Sequence, residues 1–312
     1  MSLLVVGSVA FDAIETPFGK TERIIGGAAT YIALAGSYFT KPINLISVVG
    51  GDFGDADISM LQRHGIDTKG LQIKQSEKSF FWAGRYHNDM NSRDTLDTQL
   101  NVLADFDPVV PEAYQDCEYL MLGNLAPDIQ RMVLERLRRR PKLVMMDTMN
   151  FWMTIAMDSL RKTIRMVDVL AINEEEARQL TGEYSLVKAA RAILKMGPRY
   201  LVIKKGEHGA LLFNGQDGQI FYAPALPLEE VFDPTGAGDS FAGGLIGFVA
   251  STKDIGIANL RNGVIVGSAL ASFTVERFGP ERLIDLKRDE VADRIKAFRR
   301  LTQFDLELSA AF

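Results

Sequence analysis

A glycine-rich segment in the last third of the chain combines backbone freedom with a carboxylate. It reads Asp-Pro-Thr-Gly-Ala-Gly-Asp-Ser-Phe-Ala-Gly-Gly from Asp233 to Gly244 and leads from a predicted loop into an apolar helix. Because Gly236 and Gly238 lack a Cβ atom, a ligand can approach the backbone closely, and the N–H groups of the first helical turn can point at an anion. The pattern predicts an anion hole formed by Gly236, Ala237 and Gly238, which would stabilise the charge on a transferred phosphoryl group.

Asp239 lies in the first turn of the same predicted helix. The helix dipole favours its ionised form, so we expect an ordinary pKa and a carboxylate that accepts a proton at neutral pH. In a loose phosphoryl-transfer transition state the attacking hydroxyl loses its proton late, and such a carboxylate is then a sufficient general base. The alternative is that Asp239 is an ordinary capping residue of a glycine-rich helix start.

Short β-rich runs alternate with segments of helical period along most of the chain. The predicted strands are Leu3–Val6, Ile43–Val49, Tyr119–Leu122, Leu143–Met146, Val167–Ile172 and Tyr200–Lys204. They are mostly apolar on both faces, which indicates a parallel or mostly parallel sheet covered by helices. The predicted helices are Ala28–Phe39, Ile129–Arg139, Glu174–Leu180, Leu186–Met196, Asp239–Ala250, Ile255–Glu276 and Asp289–Leu301. The alternation predicts a layered α/β core.

Two segments interrupt this alternation, at about 12–25 and 78–104. The second contains the aromatic run Phe80-Phe81-Trp82 followed by a polar stretch that is too hydrophilic for a core element. We predict that the two segments form a small β-sheet that stands off the main domain as a lid, which would exclude water on closure. The alternative is a pair of surface hairpins without function.

Composition limits the classes of partner. The chain has 312 residues, a formal net charge of −5 and a pI near 5.4, so we expect no nucleic-acid partner and only local phosphate binding. The single cysteine, Cys117, precedes an apolar run and is predicted to be a buried structural thiol. The first residues lack the features of a secretory signal, and no apolar run is long enough to span a bilayer. We therefore expect a cytoplasmic protein without membrane contact.

Three other enzyme classes are disfavoured. Gly19-Lys20-Thr21 suggests a P-loop, but Ile14 occupies the position of the required earlier glycine. No Gly-x-Gly-x-x-Gly follows the first predicted strand, which disfavours a dinucleotide-dependent dehydrogenase. The histidines show no recognised zinc spacing; they are His64, His87 and His208.

The segment Asp233–Phe241 closely resembles the C-terminal signature of the ribokinase-like (PfkB) sugar and nucleoside kinases. Gly26-Gly27-Ala28-Ala29 resembles the N-terminal signature of that family, and the elements between them follow in the family's order. The resemblance covers nearly the whole chain. It implies one kinase domain over 1–312, folded as a ribokinase-like three-layer α/β/α sandwich with a mostly parallel central sheet and a small β-sheet lid. It also implies an ATP-dependent phosphotransferase that acts on an alcohol group.

The resemblance assigns roles to further residues. Asp12, Gly26 and Gly27 are implied to bind the acceptor substrate. The polar lid residues Asn91 and Arg93 are predicted to contact the substrate across the closing cleft, and Asn124 is a further candidate. Those implied to bind ATP are Asn173, Lys205, Gly206, Gly209, Thr235 and Ser268. Glu176 of Asn-x-x-Glu would hold Mg²⁺, largely through water, although Glu174–Glu176 could equally be the acidic first turn of a helix. Asp233 would be part of a possible K⁺ site.

Two departures from the family pattern limit these implications. Ribose-binding members often carry an asparagine a few residues after the Gly-Gly pair, where this chain has Thr30-Tyr31-Ile32. No serine follows Gly279, so K⁺ dependence stays open. The polar lid residues suit the hydroxyls of a sugar, whereas the aromatic residues at 80–82 suit the base of a nucleoside. We rank a small sugar or sugar derivative first as acceptor and a nucleoside second. A non-catalytic sugar-binding protein and a homodimer formed through the lid are further possibilities.

Overall fold

The computed structural model describes residues 2–303. The strands are β1 (Leu3–Val6), β2 (Ala10–Thr16), β3 (Gly19–Lys20), β4 (Ile24–Gly26), β5 (Ile43–Gly50), β6 (Ile66–Lys74), β7 (Phe80–Tyr86), β8 (Arg93–Gln99), β9 (Tyr119–Leu122), β10 (Leu143–Met146), β11 (Val169–Asn173), β12 (Tyr200–Lys204), β13 (Ala210–Asn214) and β14 (Ile220–Ala223). The α-helices are α1 (Ala28–Gly36), α2 (Asp55–Arg63), α3 (Pro127–Arg136), α4 (Asn150–Ile155), α5 (Met157–Ile164), α6 (Glu174–Thr181), α7 (Leu186–Leu194), α8 (Ala237–Thr252), α9 (Ile257–Thr274), α10 (Glu281–Asp285) and α11 (Arg288–Thr302).

Nine strands form the central sheet, in the order β14-β13-β12-β11-β10-β9-β1-β5-β6. All neighbouring pairs are parallel except those of β13, which is antiparallel to both β12 and β14. The strands are short and apolar on both faces because helices cover both sides of a parallel sheet. The predicted mostly parallel central sheet is confirmed.

Alternate side chains of each strand enter two separate hydrophobic cores. Leu3 and Val5 of β1 pack in the core that also contains buried residues of α1, α8 and α9. Leu4 and Val6 pack in the opposite core, with buried residues of α3, α5, α6 and α7. The molecule is therefore the predicted three-layer α/β/α sandwich.

Helices α1 and α8 lie unusually close together. A Cβ atom placed on Gly247 of α8 would lie 2.7 Å from Gly36 Cα of α1, and one placed on Gly243 would lie 2.3 Å from the Ile32 carbonyl oxygen. The absence of side chains at these points allows the two helix backbones to touch. This contact fixes the start of α8, which carries the glycine-rich signature, relative to α1, which begins directly after Gly27.

A separate small sheet contains β3, β2, β7 and β8 in that order, and β4 also pairs with β2. It includes both segments that were predicted to form a small sheet. β2 and β7 are parallel, whereas β7 and β8 are antiparallel. All residues of β8 are exposed, so the hydrophilic stretch forms a turn and an edge strand rather than part of the core.

Most differences from the predicted elements lie at their ends. Helix α8 begins at Ala237 rather than at Asp239, and β11 begins at Val169 rather than at Val167. Helices α2, α4, α5 and α10 and strands β6, β13 and β14 were not predicted. Most of them are short or half-exposed and give weak periodicity, whereas β13 has five residues, four of them buried, and was missed despite its apolar run. None of the described helices is both long and apolar enough to cross a bilayer.

Candidate active site

Polar side chains lie where three parallel strands end. Asp147 follows β10 directly, Asn173 ends β11 and Lys204 ends β12. The carboxyl ends of parallel strands share one edge of a sheet, which is where open α/β folds bind ligands. The start of α8 lies at the same edge, since a Cβ atom placed on Gly238 would be 3.1 Å from Lys204 Nζ. The glycine-rich signature and the strand ends therefore form one site.

The first turn of α8 presents free backbone donors to this site. Gly236 caps the helix in the left-handed conformation, with φ 74°. The N–H groups of Gly238 and Asp239 make no hydrogen bond to any described residue, whereas the Ala237 N–H donates to the Pro234 carbonyl oxygen 3.2 Å away. The arrangement differs from the predicted anion hole in one position, because the Ala237 N–H closes the turn before the helix. The free donors belong to the next two residues.

Asp239 is only partly exposed and has charged neighbours. Burial and the nearby Asp147 raise the pKa of Asp239 to about 7, although Lys204 and Arg93 act in the opposite direction. The expectation of an ordinary pKa is therefore wrong. The helix dipole acts on a surface carboxylate by a modest amount, and here desolvation and a second carboxylate outweigh it. A pKa near neutrality suits a general base.

A buried ion pair lies beside Asp239 and was not predicted from the sequence. Lys204 Nζ donates to Asp147 Oδ2 at 2.6 Å, and Asp147 Oδ1 accepts a hydrogen bond from the Thr148 N–H at 2.8 Å. Burial opposes the charge of Lys204, yet Asp147 and then Glu176 raise the pKa of its ammonium above the usual value. Both residues follow or end predicted strands, and this position was the signal that could have identified them.

Asn173 and Glu176 form a reciprocal cap at the start of α6. The Glu176 N–H donates to Asn173 Oδ1 at 2.8 Å, and the Asn173 N–H donates to Glu176 Oε2 at 2.7 Å. Burial and Asp147 raise the pKa of Glu176 to about 7. Glu176 Oε1 makes no hydrogen bond to a described residue. Glu176 can therefore belong to the acidic first turn of α6 and still offer one carboxylate oxygen to the site.

Asp12 lies on the small sheet, against the start of α1. Its carboxylate accepts a hydrogen bond from the Gly27 N–H, and a Cβ atom placed on Gly26 would lie 1.9 Å from Asp12 Oδ2. Burial, followed by Asp233, raises the pKa of Asp12 to about 7. The predicted substrate residues Asp12, Gly26 and Gly27 are therefore in direct contact.

Tyr31 separates Asp12 from the start of α8. Its ring would lie 2.4 Å from a Cβ atom on Gly236, and its buried hydroxyl has no hydrogen-bond partner among the described residues. Burial, then the charges of Asp12 and Asp233, raise the pKa of the Tyr31 hydroxyl well above its usual value. An unpaired polar group in such a position is costly unless a ligand satisfies it.

Asp233 organises the loop that precedes α8. Asp233 Oδ1 accepts from the Thr235 N–H and Asp233 Oδ2 from the Gly279 N–H, both at 2.8 Å. Burial raises the pKa of Asp233. Thr235 Oγ1 donates to Tyr86 Oη of β7 at 3.2 Å, so this loop also contacts the small sheet.

Lys205, Gly206 and Gly209 form a tight turn between β12 and β13. The Lys205 N–H donates to the Gly209 carbonyl oxygen at 2.8 Å, and a cavity of about 550 Å³ lies beside the turn. Its lining residues are Glu207, His208, Tyr222, Pro224, Ala225, Pro227, Leu301 and Thr302. Ser268 is buried within α9, and none of the contacts above involves it.

The turn between β7 and β8 reaches the site from the opposite side. Asn91 Oδ1 would lie 2.6 Å from a Cβ atom on Gly206, and the Arg93 guanidinium is close enough to lower the pKa values of Glu176 and Asp239. The Asn124 side chain is fixed by another contact, because Trp152 Nε1 donates a hydrogen bond to Asn124 Oδ1 at 2.9 Å. The structure thus brings Asn91 and Arg93 to the edge that carries Asp239, and it fixes the Asn124 amide against α4.

Comparisons with known proteins identify the family of this chain. A sequence profile described as pfkB family carbohydrate kinase matches residues 2–285. The chain belongs to the PfkB family. It is 31% identical over 250 residues to a cytidine kinase of Thermococcus kodakarensis, covering 79% of this chain and 87% of the relative. It is 25% identical over 308 residues to a nucleoside kinase of Methanothermobacter thermautotrophicus, covering 89% and 91%.

The PfkB fold is also seen in a solved structure. The nucleoside kinase of Methanocaldococcus jannaschii, an archaeal member of the ribokinase family, aligns with a TM-score of 0.75 and 20% identity, covering 95% of this chain and 98% of that chain. The predicted family and fold class are both confirmed.

ATP and Mg²⁺, which a PfkB kinase uses, fit the residues of this site. The free N–H groups of Gly238 and Asp239 and the Lys204 ammonium offer donors to phosphate oxygens. The raised pKa of Glu176 reflects a buried carboxylate that lacks a full counter-charge, which a nearby divalent cation would supply.

Proposed function

We propose that this PfkB protein is an ATP-dependent nucleoside kinase that phosphorylates a ribose hydroxyl. The observation that carries the proposal is the position of Asp239 in a helix turn with free N–H donors, close to both the Lys204 ammonium and the Asp12 carboxylate. A carboxylate and an anion site on one turn can hold the hydroxyl and the phosphoryl group in line.

In the proposed step, the substrate hydroxyl oxygen attacks the γ-phosphorus of ATP. A new O–P bond forms, the bond from the γ-phosphorus to the bridging oxygen breaks, and ADP leaves with the bonding electrons. The hydroxyl proton passes to Asp239, which later releases it to solvent. The amides of Gly238 and Asp239 stabilise the negative charge on the transferring group. Glu176 and Asn173 would hold Mg²⁺, and the metal would supply positive charge to the phosphates.

A nucleoside is favoured over a free sugar as acceptor. The sequence alone ranked the sugar first, but both relatives described above are nucleoside kinases, and one is at least 30% identical over most of this chain. The segment Thr30-Tyr31-Ile32 also lies where ribose-binding members often carry an asparagine, and the unpaired hydroxyl of Tyr31 is available to a ligand. Asp12, with a pKa raised to about 7, would accept hydrogen bonds from ribose hydroxyls.

The small sheet acts as a lid in this proposal. It contacts the loop before α8 through Tyr86, and Asn91 lies against Gly206 in the turn between β12 and β13. The edge strand β8 exposes Leu96, and Leu100 beyond it is also exposed, which supports a homodimer formed through the lid. Asp233 supports a possible K⁺ site through its ordered contact with Gly279. Analytical ultracentrifugation tests the homodimer. A comparison of turnover in K⁺ with turnover in a bulky organic cation tests the K⁺ site.

A panel of acceptors tests the main proposal. ADP release is measured with ATP and Mg²⁺ in the presence of cytidine, uridine, adenosine, inosine, ribose or fructose, with the Asp239→Asn protein as control. We expect turnover with at least one nucleoside at a kcat/KM well above that for either sugar. Turnover with the sugars alone would mean that the acceptor is a sugar, as the sequence had suggested. Ligand-induced stabilisation without ADP release would indicate a binding protein.

A further inference from the structure

The Lys204 ammonium is the one cation of the described residues that is both buried beside the anion hole and incompletely paired. It lies 2.6 Å from Asp147 Oδ2 and would lie 3.1 Å from a Cβ atom on Gly238. A lysine ammonium has three donors. Asp147 Oδ2 is its single hydrogen-bond acceptor among residues 2–303, so two N–H groups remain available.

The charges around Lys204 are unbalanced before any phosphate binds. Asp147, Glu176 and Asp239 surround it, and Arg93 approaches from β8. Its side chain is 16% exposed and that of Asp147 is 7% exposed, so little water screens the pair. A transferring phosphoryl group adjacent to three carboxylates would be repelled unless a cation lay between them.

We propose that Lys204 is a catalytic residue that donates hydrogen bonds to the transferred phosphoryl group, and that Asp147 is the positioning residue that holds its ammonium beside the Gly238 amide. This inference rests on the phosphoryl transfer proposed above. The lysine side chain is long and flexible enough to keep one N–H on Asp147 while the other two meet phosphoryl oxygens. Lys204 also lowers the pKa of Asp239, which keeps the base ionised.

The competing explanation is that Lys204 only neutralises the buried Asp147. A double-variant cycle separates the two explanations. Lys204→Met removes the ammonium, Asp147→Asn removes its partner, and the double variant leaves no unpaired charge from this pair. If Lys204 binds the phosphoryl group, we expect Lys204→Met to lower kcat by about 100- to 1000-fold, as for loss of one transition-state donor. The KM for the nucleoside should change by less than about threefold, because the acceptor is bound elsewhere.

The two other members of the cycle follow from the same geometry. Asp147→Asn should lower kcat by about tenfold, since the ammonium stays but is held less firmly. The double variant should be as slow as Lys204→Met, so that the Asp147→Asn effect disappears once the lysine is absent. Recovery of the double variant to within about tenfold of the unaltered protein would overturn the proposal, because a purely structural pair can be replaced by neutral residues.

A binding measurement gives a second readout. Calorimetric titration with Mg-ADP and with a non-hydrolysable ATP analogue should show that Lys204→Met weakens binding of the analogue more than that of ADP, because only the analogue carries a γ-phosphoryl group. Equal weakening of the two would contradict the proposal. The low-pH limb of the kcat profile should also move to higher pH in Lys204→Met, because the Lys204 charge lowers the pKa of Asp239.

Lys142→Met is the matched control. Lys142 Nζ lies 2.6 Å from Glu118 Oε1 at the amino ends of β10 and β9, on the edge of the central sheet opposite the anion hole, and its loss should leave kcat unchanged. If Lys204→Met does not fold, the double variant carries the test, since its charges are balanced. Absence of ATP-dependent turnover in the unaltered protein would refute the proposed function itself, whereas turnover that survives loss of Lys204 would refute only this inference.

Discussion

The two ends of the central parallel strands carry ion pairs of the same length in opposite surroundings. At the amino ends, Lys142 and Glu118 lie 2.6 Å apart with side chains 59% and 28% exposed. At the carboxyl ends, Lys204 and Asp147 also lie 2.6 Å apart, but their side chains are only 16% and 7% exposed. The first pair is a surface contact in water, and the second is enclosed together with further carboxylates.

The difference shows in the ionisation of the neighbouring acids. A hydrogen bond from Lys142 lowers the pKa of Glu118, so each charge at the amino ends is stabilised by its partner. At the carboxyl ends, burial raises the pKa values of Glu176 and Asp239 to about 7 despite the nearby cations. Carboxylates whose pKa is raised by burial are typical of functional sites, whereas exposed ion pairs that stabilise both charges are common on protein surfaces.

The strongest test of this comparison is Asp239→Asn. The amide fills nearly the same volume and can still lie in a helix start, but it cannot accept the hydroxyl proton. We expect kcat to fall by about 100- to 10,000-fold while ATP binding is retained. The rate of ADP release measures the fall in kcat, and calorimetric titration with ATP measures binding. The control, Glu118→Gln at the amino ends, should keep normal turnover; near-normal turnover in Asp239→Asn would make the carboxylate a structural cap.

Gly236→Ala tests the backbone of the anion hole. Gly236 has φ 74° and the added Cβ would lie 2.4 Å from the Tyr31 ring, so the turn must shift. We expect kcat to fall by about tenfold to 100-fold, because misplaced N–H donors stabilise the transition state less well. Gly182→Ala is the matched control, since Gly182 has φ 72° and open space around it. An equal loss of kcat in both variants would attribute the effect to backbone strain alone.

Arg93→Ala tests the contribution of the small sheet. Arg93 approaches Asp239 and Glu176 across the site, so its loss should raise the KM for the acceptor by about tenfold and that for ATP much less. Arg85→Ala is the control on the neighbouring strand, because Arg85 pairs with Glu15 of β2 at 2.8 Å. Steady-state kinetics with each substrate varied in turn measures both constants. Equal changes for the two substrates would favour surface hairpins without function.

The raised pKa of Asp239 predicts a pH dependence of both activity and stability. Only the carboxylate accepts a proton, so kcat/KM should rise as the pH rises through about 7. The folded-state pKa lies above the unfolded value of 3.8, so ionisation of Asp239 disfavours folding progressively from about pH 4 to pH 7. Asp239→Asn should therefore melt at a higher temperature than the unaltered protein at pH 8 and at a similar temperature at pH 4. Identical melting differences at both pH values would refute the burial argument.

The smallest expected effect is at the amino ends. Glu118→Gln and Lys142→Met each remove one partner of an exposed pair, which contributes little because water screens it. We expect kcat within about twofold of the unaltered value and unfolding midpoints that hardly change, as measured by denaturant titration. A large loss of activity in either variant would mean that the two ends of the strands are coupled, and the comparison would fail.

Much of the fold follows from local patterns in the sequence. The apolar runs at β1, β9 and β10 agree with the predicted strands residue for residue, because a strand buried on both faces leaves an uninterrupted hydrophobic signal. Elements such as β14 and α2 are short or half-exposed, and their weaker periodicity did not identify them. The signature around Asp239 likewise marked the start of α8 and its free N–H groups to within two residues.

The amino-acid sequence by itself determined the family, the layered architecture and the residues that head α1 and α8, because glycine, carboxylate and helix-start patterns are local. Only the tertiary structure decided the ionisation of the site. Asp147, Glu176 and Asp239 are far apart along the chain, and their shared surroundings arise because parallel strands and α8 end at one edge. Desolvation and charge coupling depend on distances through space, so no local pattern could reveal the raised pKa of Asp239 or the pairing of Lys204 with Asp147.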